Sequence, residues 1–381
     1  MVTLKEIAQE CNVSATTVSN ILNGKPKVSE EIRLKVLDVV KRRGYQPNYI
    51  AQGLRNQKTR TIGIIAEDIA QFSTPGMIES IMAFCEEKGY RTIVQNLRLY
   101  ARWQESWFNN EEAYRSVLEP ALQELRSIKV DGLIYVAGHA RIIHFFKEDL
   151  SMPAVMAYAY TDSPAVPAVV IEDEQGGYDI MKYVLSMGHR RIGIIGGRAD
   201  NIHTKKRLLG AQKAMFEAQV LYNPDWVRYG AWDRDSGYEM AKPLIDAGVT
   251  AIFCMADRMA GGVYDYLEEC GLKAGVDVSV AGFDNQDVAE YFRPALTTMA
   301  LPLSEIGHKS AEILLKEIDG EWKAASGGTP VEIGVPVLCG QKIGGENRGL
   351  KPAGSAGAPK KLYGRQRQRT GDAVLVKMTR R

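Results

Sequence analysis

Between Ile62 and Ala281 short apolar runs alternate with amphipathic stretches, and this alternation restricts the fold more than any other feature of the chain. The runs are Ile62–Ala66, Thr92–Val94, Gly132–Val136, Ala154–Ala157, Ile192–Ile195, Ala251–Cys254 and Val278–Ala281. Each is too short for a helix and apolar on both faces, so each reads as a strand covered on both sides. Strands of that kind belong to parallel sheets joined by crossover helices. Ligands of such sheets sit beyond the carboxyl ends of the strands. That places the candidate ligand loops at Glu67–Pro75, Tyr158–Asp162, Gly196–Lys206, Met255–Met259 and Gly282–Asn285.

At 381 residues the chain exceeds the roughly 250–300 residues that one core serves, so more than one folding unit is expected. No apolar run approaches the ~20 residues of a spanning helix, and Met1-Val2-Thr3-Leu4-Lys5-Glu6 lacks the apolar core of a signal segment. A cytoplasmic protein without membrane contact is the expectation. The five cysteines, Cys11, Cys85, Cys254, Cys270 and Cys339, are scattered and mostly within apolar runs, as suits reduced thiols in packed positions. Without a Cys-x-x-Cys pair, and with His139 and His144 on different helix faces, no metal site is expected. Gly196-Gly197-Arg198 lacks the rest of a dinucleotide or phosphate loop, and no nucleophile elbow occurs. The chain is therefore read as having no catalytic residue and no cofactor.

Charge is unevenly distributed. Residues 1–60 hold 11 Lys/Arg against 5 Asp/Glu, residues 61–343 hold 27 against 39, and residues 344–381 hold 10 against 2. Basic ends flank an acidic body, which suits a phosphate-backbone partner at the ends and equally a solvated surface.

In the basic N-terminal part Leu4, Ile7, Ala8 and Cys11 make the stripe of a short helix, with Thr3 and Glu6 as a capping box. After Asn12-Val13, Ser14 caps a second helix that turns Val18, Ile21 and Leu22 inward. A third helix runs from about Glu30 to Arg43, buries Ile32, Val36, Val39 and Val40, and stops at Gly44. Thr16, Asn20 and Asn23 stand opposite the apolar stripe of the second helix. Periodicity alone is equally served by a three-helix unit whose polar face simply meets water.

The literal string decides between these. Residues 4–24, followed by Val28-Ser29-Glu30-Glu31 and Gly44-Tyr45-Gln46-Pro47-Asn48, closely resemble the DNA-binding domain of the LacI/GalR family. The resemblance implies a second helix lying in the major groove, with Ala15, Thr16 and Asn20 at base edges. It implies backbone-phosphate contacts for Ser14, Thr17, Ser19, Asn23, Tyr45 and Asn48. Pro47–Arg55 resembles the family's hinge helix, which places Leu54 as a wedge in the minor groove at the dyad. Gly53 departs from the pattern and weakens that helix by roughly 1 kcal/mol against Ala.

Further strings resemble the family's effector domain: Gly188-His189-Arg190-Arg191-Ile192, Ala256–Ala260, Gly282-Phe283-Asp284 and Pro294–Thr298. They imply two lobes of periplasmic-binding-protein-like topology with a sugar or small metabolite in the cleft. On the same resemblance Arg207 reaches ligand hydroxyls or a carboxylate, Asp284 accepts from hydroxyls, and Trp232 stacks on a sugar face. Asp68, Phe72 and Tyr158 line the other lobe. Structural roles stay open for each, since an Asp at a strand end also suits a helix cap and Trp232 also suits a core. Ala256 stands where many relatives have Asn, removing one amide contact, and Asp257 is expected to cap the following helix.

The expected architecture is an all-α helix-turn-helix headpiece (1–46), a hinge helix and linker (47–60), and an α/β two-lobed domain with parallel sheets (61–343). A basic tail (344–381) rich in Gly, Pro, Lys and Arg completes it. The tail lacks leucine heptads, leaving a homodimer as the expected assembly, and it is read as dispensable in preference to adding nonspecific DNA affinity. The expected partners are palindromic double-stranded operator DNA and a small-molecule effector. A sugar-transport receptor shares the lobes but has no use for residues 1–60. An α/β enzyme with a regulatory headpiece requires a catalytic constellation absent from the sequence.

Overall fold

A computed structural model of the chain describes residues 2–22, 28–45, 58–104, 106, 110–147, 150–321, 330–333 and 337–338. The N-terminal helices are α1 (Leu4–Cys11), α2 (Ala15–Leu22) and α3 (Glu30–Arg42). The capping box is reciprocal: Glu6 N donates to Thr3 Oγ1 at 3.3 Å and Thr3 N to Glu6 Oε2 at 2.8 Å, satisfying two amides left open by the helix start. Asn12, left-handed at φ 55°, ends α1. Ser14 Oγ then accepts Thr17 N at 3.0 Å and starts α2. Ile7, Ala8, Cys11, Val18, Ile21, Val36 and Val39 close a small core, with Leu22, Ile32, Val40 and Tyr45 packed half-buried against it. Glu10 ties α1 to α3 through Arg42 at 2.9 Å and Arg43 at 3.0 Å. These pairs are exposed and contribute at most about 1 kcal/mol each.

Beyond the headpiece lie two α/β units. The first contains β1 (Thr61–Ala66), β2 (Arg91–Asn96), β3 (Gly132–Val136), β4 (Ile142–Ile143), β5 (Ala154–Ala157), β6 (Tyr160–Thr161) and the start of β7 (Ala168–Ile171). The main sheet runs β2-β1-β3-β5-β7, each of these pairings parallel, with Val331–Ile333 as a sixth strand beside β7. In the second unit β8 (Ile192–Gly196), β9 (Val227–Tyr229), β10 (Ala251–Cys254) and β11 (Ser279–Ala281) make a parallel sheet in the order β11-β10-β8-β9. Strands β1, β3, β5, β7, β8, β10 and β11 are buried throughout, as continuous apolar runs require.

Both strand orders reverse direction once, between β1 and β3 and between β8 and β10. Open α/β sheets bind ligands in the crevice outside that reversal. The residues there are Glu67, Asp68 and Ala137–Gly138 in the first unit, and Gly196–Gly197 and Met255 in the second.

In the second unit helix Asp173–Ser186 packs closely on helix Ile202–Glu217. Glycine at 177 and 210 permits this approach: a Cβ at Gly177 would overlap the Arg207 carbonyl, and one at Gly210 the Glu174 carbonyl. The contact brings the first residue of one helix, Asp173, to the inner face of the other.

The sequence reading missed β7 and β9, which are four and three residues long and too short to show a period. Two expectations need correction. Cys270 is exposed, at the end of helix Asp257–Glu269, instead of packed like Cys11, Cys85 and Cys254. Asp257 does not cap its helix: it lies one residue inside and bonds elsewhere. Among the described residues no helix is long and apolar enough to cross a membrane, and no group of His, Cys, Asp or Glu is arranged to hold a metal.

Candidate functional site

In the second unit Arg207, 1% exposed, is the centre of a buried polar network. Its Nε donates to Asp173 Oδ1 at 2.8 Å and its Nη1 to the Met255 carbonyl, at the carboxyl end of β10, at 2.7 Å. The guanidinium lies over the Phe283 ring, 3.6 Å from its centroid, and 5.9 Å from the Trp232 ring. His203 Nδ1 is 2.7 Å from Asp173 Oδ2, so Asp173 bridges two residues one helical turn apart. Burial alone raises the Asp173 carboxyl, but His203 and Arg207 outweigh it and hold the group below its ordinary value.

Asp284 faces this network, with Oδ1 3.8 Å from Arg207 Nη1 and Oδ2 accepting Gln286 Nε2 at 3.0 Å. Burial pushes its carboxyl up to about 7 against the pull of Arg207. Asp257 is raised as well, first by burial and then by the Asp284 charge. Asp257 accepts the Gln286 backbone N–H at 2.7 Å and the Thr298 hydroxyl at 2.6 Å, which holds the Gly282–Gln286 loop in place. Trp232 is half-buried and lies against Gly197, where any Cβ would run into the indole.

Three of the six effector residues anticipated from sequence have positive φ without being glycine: Tyr158 at 67°, Trp232 at 64° and Asp284 at 116°. Such conformations cost on the order of 1–3 kcal/mol each and gather at functional sites.

In the first unit Tyr158 is buried directly after β5, and Phe72 is half-buried in the turn before helix Thr74–Glu87. Asp68 is buried with both oxygens engaged by backbone, Oδ1 by Ala70 N at 3.0 Å and Oδ2 by Ala101 N at 3.1 Å. Beside it Glu67 accepts Tyr135 Oη and Gly138 N, each at 2.8 Å, and pairs with Arg141, which stacks on Tyr114. Ser73 Oγ adds a bond to the Gly138 carbonyl at 3.1 Å. The loops after β1 and β3 are thus fastened together by side chains at the point of strand-order reversal.

Sequence reasoning missed Asp173, His203, Glu67 and Arg141. Asp173 follows an unrecognised strand, and His203 carries a signal, the i, i+4 spacing to Arg207.

On the headpiece Ser14 and Thr16 are exposed and Ala15, Thr17, Ser19, Asn20 and Tyr45 half-buried. Ala15 and Tyr45 rest partly on the core, and Thr16 and Asn20 stand on the side of α2 opposite the buried Val18 and Ile21. Asn23, Asn48 and Leu54 lie outside the described residues, as do the expected hinge helix and the basic tail.

A capped helix-turn-helix followed in one chain by two open parallel α/β sheets defines a class, a DNA-binding regulator with ligand-binding lobes. The comparisons agree. Residues 3–48 match the model for bacterial regulatory proteins of the lacI family, and residues 181–332 match the periplasmic binding protein-like domain. The ribose operon repressor of Haemophilus influenzae is 31% identical over 321 residues, 84% of this chain and 92% of the relative. The HTH-type transcriptional repressor PurR of Escherichia coli is 33% identical over 323 residues, 84% and 91%. Among solved structures, the Lac repressor dimer bound to operator and the anti-inducer ONPF matches with TM-score 0.73 and 23% identity, covering 90% of this chain and 99% of that one. The transcriptional regulator CelR in complex with cellobiose matches with TM-score 0.61 and 23% identity, covering 90% and 100%. The chain belongs to the lacI family of bacterial regulatory proteins.

Proposed function

We propose that this chain is a transcriptional repressor, acting in the cytoplasm as a homodimer on a palindromic operator, whose operator affinity is set by a small polyhydroxylated effector, a sugar or sugar derivative. The observation that carries the effector half is the buried Arg207, fixed by Asp173 and the Met255 carbonyl with Asp284 facing it. A guanidinium held beside a carboxylate offers a donor and an acceptor to adjacent hydroxyls, and the Trp232 ring offers an apolar face to a sugar. Asp68, Phe72 and Tyr158 are the corresponding contacts from the first unit. Asp68 acts there with its carboxylate already fixed by Ala70 and Ala101.

On DNA, Thr16 and Asn20 read base edges and Ala15 offers a methyl contact. Ser14, Thr17, Ser19 and Tyr45 hold phosphates together with Asn23 and Asn48, and Leu54 wedges the minor groove. The protein acts by binding, without turnover of its effector. A hundredfold change in operator affinity corresponds to about 2.7 kcal/mol of coupling.

The test titrates a fluorescent operator complex with monosaccharides and disaccharides, in the native protein and in Arg207→Ala. A sugar that shifts operator affinity at least tenfold in the native protein and not in the variant is the expected result. An undiminished response in Arg207→Ala removes this residue from the site.

A further inference from the structure

The first unit contains a cavity of about 490 Å³ at the end of its sheet opposite the ligand loops, a volume within the range of small-molecule sites. It lies at the amino ends of β1, β3 and β5 and is lined by Lys58, Lys129, Asp131, Met152, Pro153 and Glu317, among others. Its walls are fixed. Asp131 accepts the backbone N–H groups of Thr59 and Arg60, both at 2.7 Å, and Thr59 Oγ1 donates to the Lys129 carbonyl at 2.8 Å, so the starts of β1 and β3 are fastened together.

The polar groups that line it are asymmetric. Glu317 belongs to the last turn of helix Leu303–Ile318, where the helix dipole favours positive charge. Its Oε2 is shielded from solvent without a hydrogen-bond partner, and burial raises the carboxyl above its ordinary value. An unpartnered buried carboxylate oxygen carries a desolvation penalty that a bound cation or donor removes. The neighbouring cation does not serve it: Lys58 Nζ is held by Asp319 at 2.9 Å and by the Ile318 carbonyl at 3.5 Å. Lys129 is exposed and makes no ion pair among the described residues. The same lining includes the apolar side chains of Val130, Met152, Pro153 and Ile318.

We propose that this cavity is a second small-molecule site, independent of the Arg207 network, for a ligand with a primary ammonium at one end, a short hydrocarbon stem, and a carboxylate or phosphate at the other. The ammonium pairs with Glu317, the stem covers Met152 and Pro153, and the anionic end pairs with Lys129.

The experiment is calorimetric titration of the full-length protein with γ-aminobutyrate and 6-aminohexanoate, and with phosphoethanolamine for the phosphate form. Butyrate and butylamine serve as single-ended controls. At least one two-ended probe is expected to bind at least tenfold more tightly than either control, to lose tenfold or more in Glu317→Gln, and to lose its advantage over butylamine in Lys129→Ala. If Glu317→Gln fails to fold, Met152→Trp, which fills the cavity from its apolar wall, is expected to abolish the same binding. Absence of binding by every probe overturns the proposal, as does an affinity unchanged in Glu317→Gln or in the filled variant.

Discussion

The Asp173 carboxylate and the Arg207 guanidinium form a buried ion pair, Oδ1 to Nε at 2.8 Å, across a helix contact that Gly177 and Gly210 keep close. Removing the charge from one partner leaves the other buried and uncompensated, at a cost of roughly 3–5 kcal/mol. Asp173→Asn is therefore expected to lower the unfolding free energy by that amount in urea titration. A loss below about 1 kcal/mol would show that His203 or solvent satisfies Arg207 instead.

The raised carboxyl of Asp284 makes stability depend on pH. Its folded value is about 7 against an ordinary 3.8, so between these limits the native state binds a proton that the unfolded chain does not. The stabilisation is complete below the unfolded value and is lost as pH rises through about 7, by on the order of a few kcal/mol. Asp257, also raised, adds in the same direction. Unfolding free energies measured from pH 5 to 8 should fall in the native protein and fall less in Asp284→Asn. Equal slopes in the two proteins would remove Asp284 as the source.

Gly197 supports the Trp232 indole where a side chain would collide with the ring. Gly197→Ala is expected to displace Trp232, weaken effector binding at least tenfold and leave operator affinity without effector within twofold. The paired measurements are operator titrations with and without the effector. A normal effector response would show that Trp232 is a packing residue only.

Asn20 presents an amide on the outer face of α2, where a bidentate contact with adenine is possible. Asn20→Ala should cost roughly 1–3 kcal/mol on the preferred operator and relax selectivity at one base pair per half-site. Uniform weakening on all duplexes would assign Asn20 to phosphate.

What was legible in the sequence follows from how local each signal is. The capping box of Thr3 and Glu6, the Ser14 cap and the burial of Ile7, Val18 and Val36 depend on neighbours within a turn or two, and all appear as read. The apolar runs read as β1, β3, β5, β8, β10 and β11 match the strand bounds to within a residue, because a short run apolar on both faces suits a strand covered on both sides. β7 and β9 escaped because three or four residues between irregular segments carry no period. Glu67 and Arg141 are 74 positions apart, and Asp173 and Arg207 34 apart, so strand order and helix contact decide their pairing. The expectation for Asp257 failed on the same ground: Thr298 and the Gln286 amide, 41 and 29 positions away, take the carboxylate that a local rule gave to its own helix.

The measurement that bears most directly on the central claim is selection of bound duplexes from a randomised DNA pool, with the full-length protein at fixed, near-physiological salt, because nonspecific binding falls steeply with salt. The account predicts enrichment of two half-sites related by a dyad, with a flexible central step for Leu54. Enrichment of no sequence, in the absence of effector and in the presence of a panel of sugars, would contradict it.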